Sequence, residues 1–109
     1  MNNDFGIYKN SYNLIVELFQ KYSSIEKVSI FGSRAIGNYK KGSDIDLAIF
    51  GKDISYDIVT KISAILNEDL PIPYFIDVVH YESLKNEALK THILEKGKII
   101  YTKQLTITD

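Results

Sequence analysis

The sequence predicts an α+β (α/β two-layer) fold: a small mixed β-sheet with helices packed on one face. Three observations predict it. Short apolar runs rich in β-branched residues, at 26–31, 43–50 and 74–80, read as strands. Stretches 11–22 and 55–67 repeat apolar residues at helical spacing, one ahead of the first strand and one between the second and third. The link between the first two strands is short, which favours an antiparallel pair, whereas the helical crossover to the third favours a parallel one.

Taken in order, Leu14, Ile15, Leu18, Phe19 and Tyr22 form the apolar stripe of the first helix, with Ser11 as its expected N-cap and Ser23-Ser24 as its end. The strand at 26–31 stops at Gly32-Ser33. A polar loop bounded by glycines, residues 34–42, leads into the second strand at 43–50, which Gly51 closes. Ile58, Val59, Ile62, Ile65 and Leu66 make the stripe of the second helix, and Ser55 is placed to cap it. Pro71 and Pro73 punctuate the linker to the third strand. Residues 82–96 read as a last helix ended by Gly97, 98–102 as a final short strand, and the tail after Lys103 as loose. The expectation is one domain spanning 1–109 with its core at about 11–102.

Composition narrows the function. With 45% hydrophobic and 25% charged residues the chain has the make-up of an ordinary soluble domain, and no apolar run approaches a membrane span. The N-terminus lacks a basic-then-apolar signal region. Absence of cysteine excludes disulfides and thiolate metal sites and fits a cytoplasmic protein. A net charge of −1 argues against a surface that coats nucleic acid. Richness in Lys, Ile, Asn and Tyr points to an AT-rich prokaryotic genome.

Chemistry concentrates in aspartates placed on strands. Asp44 and Asp46 are two apart, so on one strand both side chains leave the same face. Asp77 is flanked by Phe75-Ile76 and Val78-Val79, where an unpaired carboxylate is expensive to bury. The plain alternative, that each acid marks a strand end or a solvated face, is strongest for Asp44 and weakest for Asp77. If the strands are neighbours the acids converge. At about 5 Å and an effective dielectric of ~20, each like-charge pair repels by roughly 3 kcal/mol, and a divalent cation removes that penalty. Oxygen-only ligands favour Mg²⁺ or Mn²⁺, and two ions about 3.5–4 Å apart would clamp a phosphoryl displacement.

Gly32-Ser33 supplies the second half. Glycine lets the backbone approach a phosphate, and the following N–H groups and the Ser33 hydroxyl can donate to it. Arg34, the only arginine, suits phosphate recognition, against the alternative of an ordinary surface residue. Lys40 and Lys41 read as solvated loop lysines. Gly32 and Gly37 have Walker A spacing, but Asn38-Tyr39 stands where Lys-Ser/Thr is required. Leu47-Ala48-Ile49 breaks an EF-hand pattern. Neither histidine has a partner at recognisable spacing: His80 reads as a strand-end residue and His92 as a helix-surface one.

Gly32-Ser33, ten residues, then Asp44-Ile45-Asp46 resembles the signature of the nucleotidyltransferase superfamily that includes DNA polymerase β. The longer stretch Phe31-Gly32-Ser33-Arg34-Ala35 … Gly42-Ser43-Asp44-Ile45-Asp46-Leu47-Ala48 is similar to its minimal nucleotidyltransferases, the MNT-type antitoxins. Asp77 in Ile76-Asp77-Val78-Val79 matches the third carboxylate of that family, and the ending from Tyr81 to Tyr101 is similar too. The resemblance implies Mg²⁺-dependent transfer of a nucleoside monophosphate from an NTP to a hydroxyl. By it, Asp44 and Asp46 hold two metal ions, Asp77 shares the catalytic one and helps activate the acceptor, and Gly32 and Ser33 bind the β/γ phosphates. It departs at Ile36, where many relatives carry a second arginine, leaving Arg34 alone in the loop.

The resemblance also implies a partner. Minimal nucleotidyltransferases of this kind pair with a HEPN-domain toxin, and transfer of AMP from ATP to a toxin tyrosine makes them antitoxins of type VII systems. With no room seen for an acceptor-binding domain, the expected partners are ATP or another NTP and a HEPN protein, with no direct nucleic acid and no membrane; a homo-oligomer is left open. The alternative is a non-catalytic subunit that binds nucleotide or masks its partner.

Overall fold

The structure is a computed structural model, and it describes residues 3–103. The tail beyond Lys103 therefore lies outside the described residues. Helix α1 (Lys9–Phe19) precedes strand β1 (Lys27–Phe31), a one-turn helix α2 (Ser33–Ile36) and strand β2 (Ile45–Phe50). Helix α3 (Tyr56–Ala64) widens into a π turn (Ile65–Asp69) before strand β3 (Ile76–His80). A 3₁₀ turn (Tyr81–Ser83), helix α4 (Glu87–Lys96) and strand β4 (Lys98–Thr102) complete the order. Among the described residues no helix is long and apolar enough to cross a membrane.

The strands form one mixed sheet in the order β3-β2-β1-β4. β1 and β2 are antiparallel and β2 and β3 parallel, as the connection lengths predict, and β4 adds antiparallel to β1. Strand alternation sorts the side chains. Val28, Ile30, Ile45, Leu47, Ile49 and Ile76 point to one face, where they pack with Ile15, Leu18 and Phe19 of α1 and with Ile62 and Leu66.

The helices do not all take that face. Phe31, Ala48 and Phe50 point the other way and pack with Ile93 of α4, so α4 lies on the face that also carries Asp46. The mixed-sheet fold stands, but its second face is partly roofed rather than free. The reason is in the strands: their outward positions hold Phe31 and Phe50, apolar surface that needs a cover.

Element ends moved by a few residues. α1 starts at Lys9, with Tyr8 at the N-cap, and Ser11 is buried within the helix rather than capping it. Ser55 does cap α3, its Oγ accepting from the Ile58 N–H at 3.2 Å. The strand at 43–50 begins only at Ile45, because the Ser43 hydroxyl accepts from the Lys40 N–H at 2.8 Å and closes a turn. Asp44 thus stands just ahead of the strand.

Candidate active site

β1, β2 and β3 line up the site across the sheet. Phe31 pairs with Asp46, and Asp46 pairs with Asp77 on the parallel neighbour. Asp46 and Asp77 are therefore side by side on one face, with Asp44 at the head of the same strand. A clamp fixes the start of β3. Asn67, on the π turn, donates from Nδ2 to the Ile76 carbonyl and accepts the Ile76 N–H at Oδ1, both at 2.8 Å. The residue held this way adjoins Asp77.

The Gly32-Ser33 turn meets Asp46 directly. Gly32 has φ 74° and ψ −154°, a region open only to glycine, and a Cβ added there would run into the Asp46 carboxylate. Its carbonyl accepts from Ala35 N–H at 3.1 Å and Ile36 N–H at 3.2 Å, which closes the turn. The amides of Ser33 and Arg34 have no backbone acceptor among the described residues.

Electrostatics marks Asp46 as the centre of the group. Its carboxyl is pushed above the ordinary value, first by burial and then by Asp77 and Asp44, while His92 opposes the rise. No lysine or arginine salt bridge reaches any of the three acids among the described residues. Hard carboxylate oxygens, crowded and with no lysine or arginine bridging them among the described residues, fit a Mg²⁺- or Mn²⁺-type ion. They do not close around a point as they stand: no three His, Cys, Asp or Glu side chains are gathered into a metal-holding cluster among the described residues.

Two expectations need correction. Asp77 is exposed, not buried in an apolar run, because β3 is the sheet's edge and its outer face there has no cover. The burial argument holds only for Asp46, which is half-buried.

Arg34 is the second. It is 2% exposed, and its guanidinium is turned into the fold. Nε and Nη2 donate to the Ser43 carbonyl at 3.0 and 2.8 Å, and Nη1 donates to the carbonyls of Phe5 at 2.8 Å and Gly6 at 3.3 Å. The guanidinium lies between the rings of Tyr39 and Tyr74, about 5 Å from each centroid. Arg34 ties the N-terminal segment to the residue before Asp44. Ile36, where a second arginine was looked for, is exposed at the end of α2.

One residue was missed. His92 of α4 accepts the Gly32 N–H at Nε2, 3.1 Å away, with its ring edge-on to Phe31. Gly32's own amide is therefore not free for a phosphate. The residues are 60 apart in sequence, and no spacing rule joins them. His80 is a strand-end residue as read: its Nε2 lies 2.6 Å from the Gly51 carbonyl and its Nδ1 2.7 Å from Ser83 Oγ. A concavity of about 380 Å³ surrounds Arg34, Tyr39 and Tyr74 and is lined by none of the three acids.

Comparison with known proteins bears on the family and the fold. The model of the family described as polymerase beta, nucleotidyltransferase, matches residues 13–106. A candidate protein adenylyltransferase of Methanocaldococcus jannaschii is 32% identical over 84 residues, 71% of this chain and 79% of its own. Among solved structures, a chain of a toxin–antitoxin complex with AMP-PNP superposes with a TM-score of 0.69 at 23% identity, covering 85% of this chain and 74% of its own. A chain from the complex of tri-AMPylated Shewanella oneidensis HEPN toxin with MNT antitoxin gives 0.65 at 20% identity, covering 87% and 72%. At these identities the two structures speak for the fold.

Proposed function

Since the chain belongs to the polymerase beta nucleotidyltransferase family, we propose that it transfers AMP from ATP to a tyrosine hydroxyl of a HEPN-domain toxin, as the antitoxin of a two-protein system in the cytoplasm. In this reading residues 1–109 act as one catalytic domain. The carrying observation is the register that sets Asp46 beside Asp77 while Asp46 touches Gly32. The adenylyltransferase name of the relative and the AMPylated toxin in the solved complex support the choice of AMP and of a protein acceptor.

Asp44 and Asp46 would hold two Mg²⁺ ions and Asp77 would share one of them. When bound, the ions supply neutralisation of the phosphate charge and of the developing charge on the attacking and leaving oxygens. The chain's own residues do the rest. The Ser33 hydroxyl and the amides of Ser33 and Arg34 hold the β/γ phosphates, and Gly32, lacking a Cβ, lets the turn close on Asp46. Asp77, exposed at the sheet edge, faces the acceptor and takes the hydroxyl proton. The hydroxyl oxygen bonds to the α-phosphorus, the bond to the β-phosphate oxygen breaks, and pyrophosphate leaves with its electron pair.

Incubation with the cognate HEPN protein, Mg²⁺ and labelled ATP should label a tyrosine of that protein, and Asp44→Asn or Asp46→Asn should abolish the label. Neutralisation of the toxin in cells by Asp46→Asn, with no label on any protein, would replace this reading by that of a masking subunit.

A further inference from the structure

We propose that His92 is a positioning residue for the phosphate-binding turn, holding the Phe31–Gly32 peptide in the one orientation that presents Ser33; this rests on the transferase reading above.

The argument begins with freedom at Gly32. A glycine at φ 74° has no side chain to hold it, and the peptide preceding it can rotate between several orientations. On its carbonyl side the residue is fixed by the bonds from Ala35 and Ile36. On its amide side one partner is present, His92 Nε2 at 3.1 Å. The imidazole is itself held. Its ring meets Phe31 edge-on, 6.0 Å between centroids at 77°, and its neighbour Ile93 is 2% exposed against Phe31, Ala48 and Phe50. Because Nε2 accepts, its lone pair faces Gly32 and the ring proton is on Nδ1, which has no protein acceptor among the described residues.

The consequence is a division of labour in the turn. Gly32's amide is occupied by protein, so the donors left for an anion are the Ser33 hydroxyl and the amides of Ser33 and Arg34. His92 fixes where those donors point without touching the nucleotide itself. It also links α4, whose only buried residue is Ile93, to the reacting end of β1.

Two substitutions in the full-length chain separate the hydrogen bond from packing. His92→Phe keeps a ring against Phe31 and removes the acceptor; His92→Gln returns an acceptor oxygen near the Nε2 position. Titration with a fluorescent ATP analogue and Mg²⁺ should show about tenfold weaker binding for His92→Phe, the factor that one hydrogen bond of ~1.4 kcal/mol supplies, and loss of the same bond from the fold should lower the melting temperature by roughly 6 °C. His92→Gln should recover most of the loss. In the transfer assay the effect should fall on KM for ATP and leave kcat within about twofold. Equal affinity of wild type and His92→Phe, or no recovery in His92→Gln, overturns the proposal.

A long-range ¹H–¹⁵N spectrum of the wild type is independent of catalysis. It should place the His92 proton on Nδ1, and a proton on Nε2 overturns the positioning role whatever the chain transfers. With Nδ1 protonated and nucleotide binding weakened in His92→Phe, absence of labelled toxin would count against the proposed transfer and leave the role of His92 standing.

Discussion

Neutralising Asp46 should make this protein more stable while it destroys transfer. In the metal-free chain Asp46 pairs in register with Asp77 and follows Asp44 by two residues, with no lysine or arginine salt bridge among the described residues. At the ~4.8 Å spacing of neighbouring strands a like-charge pair costs about 3.5 kcal/mol at a dielectric of ~20 and about 0.9 kcal/mol at ~80. Asp77 is exposed, so water screens the pair and the lower figure applies. Asp46→Asn should then gain about 1 kcal/mol, a rise of roughly 4 °C in melting temperature for a domain of this size. The pH dependence has a definite sign. Burial, Asp77 and Asp44 raise the native pKa of Asp46 above its unfolded value, so the native state holds the proton more tightly. Stability from that proton is present below the unfolded pKa and is lost as pH rises through the raised native one. The advantage of Asp46→Asn should accordingly be full at neutral pH and shrink as pH falls through that window. Thermal melts of both proteins in EDTA across pH measure it, and Mg²⁺ added at neutral pH should stabilise the wild type more than the variant. A variant less stable than the wild type in EDTA at neutral pH would refute the reasoning, since the carboxylate would then be held by a favourable partner.

Other substitutions test the scaffold. Arg34→Met removes the donors to the carbonyls of Phe5, Gly6 and Ser43, and should cost more than ~3 kcal/mol in denaturant unfolding; an arginine serving phosphate alone would leave the unfolding midpoint unchanged. Gly32→Ala forces a side chain into a strained φ and against Asp46, so about 1–3 kcal/mol of stability and nearly all nucleotide binding should be lost together, read by melting and by titration. Asn67→Ala frees both backbone groups of Ile76 and should cost about 2 kcal/mol, with faster amide hydrogen exchange at Ile76 than at Leu47 as the local signature.

Much of the fold was legible because its signals are local. Strand alternation in Ile45-Asp46-Leu47 and the helical stripe at Ile58, Ile62 and Leu66 each follow from a backbone period, and the short and long connections dictate antiparallel and parallel pairing. The spacing from Gly32-Ser33 to Asp46 was legible for the same reason: a turn, a loop and an antiparallel return bring Phe31 opposite Asp46. Asp77 was found through its apolar neighbours, yet its exposure was not foreseen. An apolar run reads alike in a central strand and in an edge strand whose second face is open, and only the sheet order distinguishes them.

Arg34 and His92 show where sequence reasoning stops. A guanidinium beside a glycine turn has the same five donors whether it meets a phosphate or peptide carbonyls. What decides is the position of Phe5 and Gly6, brought to it from 29 and 28 residues away, and of the two tyrosine rings that enclose it. Burial then determines the role: with its donors spent on backbone, Arg34 acts on the acids only by fixing Ser43 ahead of Asp44. His92 is the converse case. One histidine on a mostly exposed helix carries no local mark, but α4 crosses to the acid-bearing face because Phe31 and Phe50 must be covered there. That packing delivers an imidazole to the Gly32 amide. The apolar cover over β1 and the anchor of the phosphate-binding turn are thus one element, so a change that loosens Ile93 should weaken nucleotide binding before it reaches any acid.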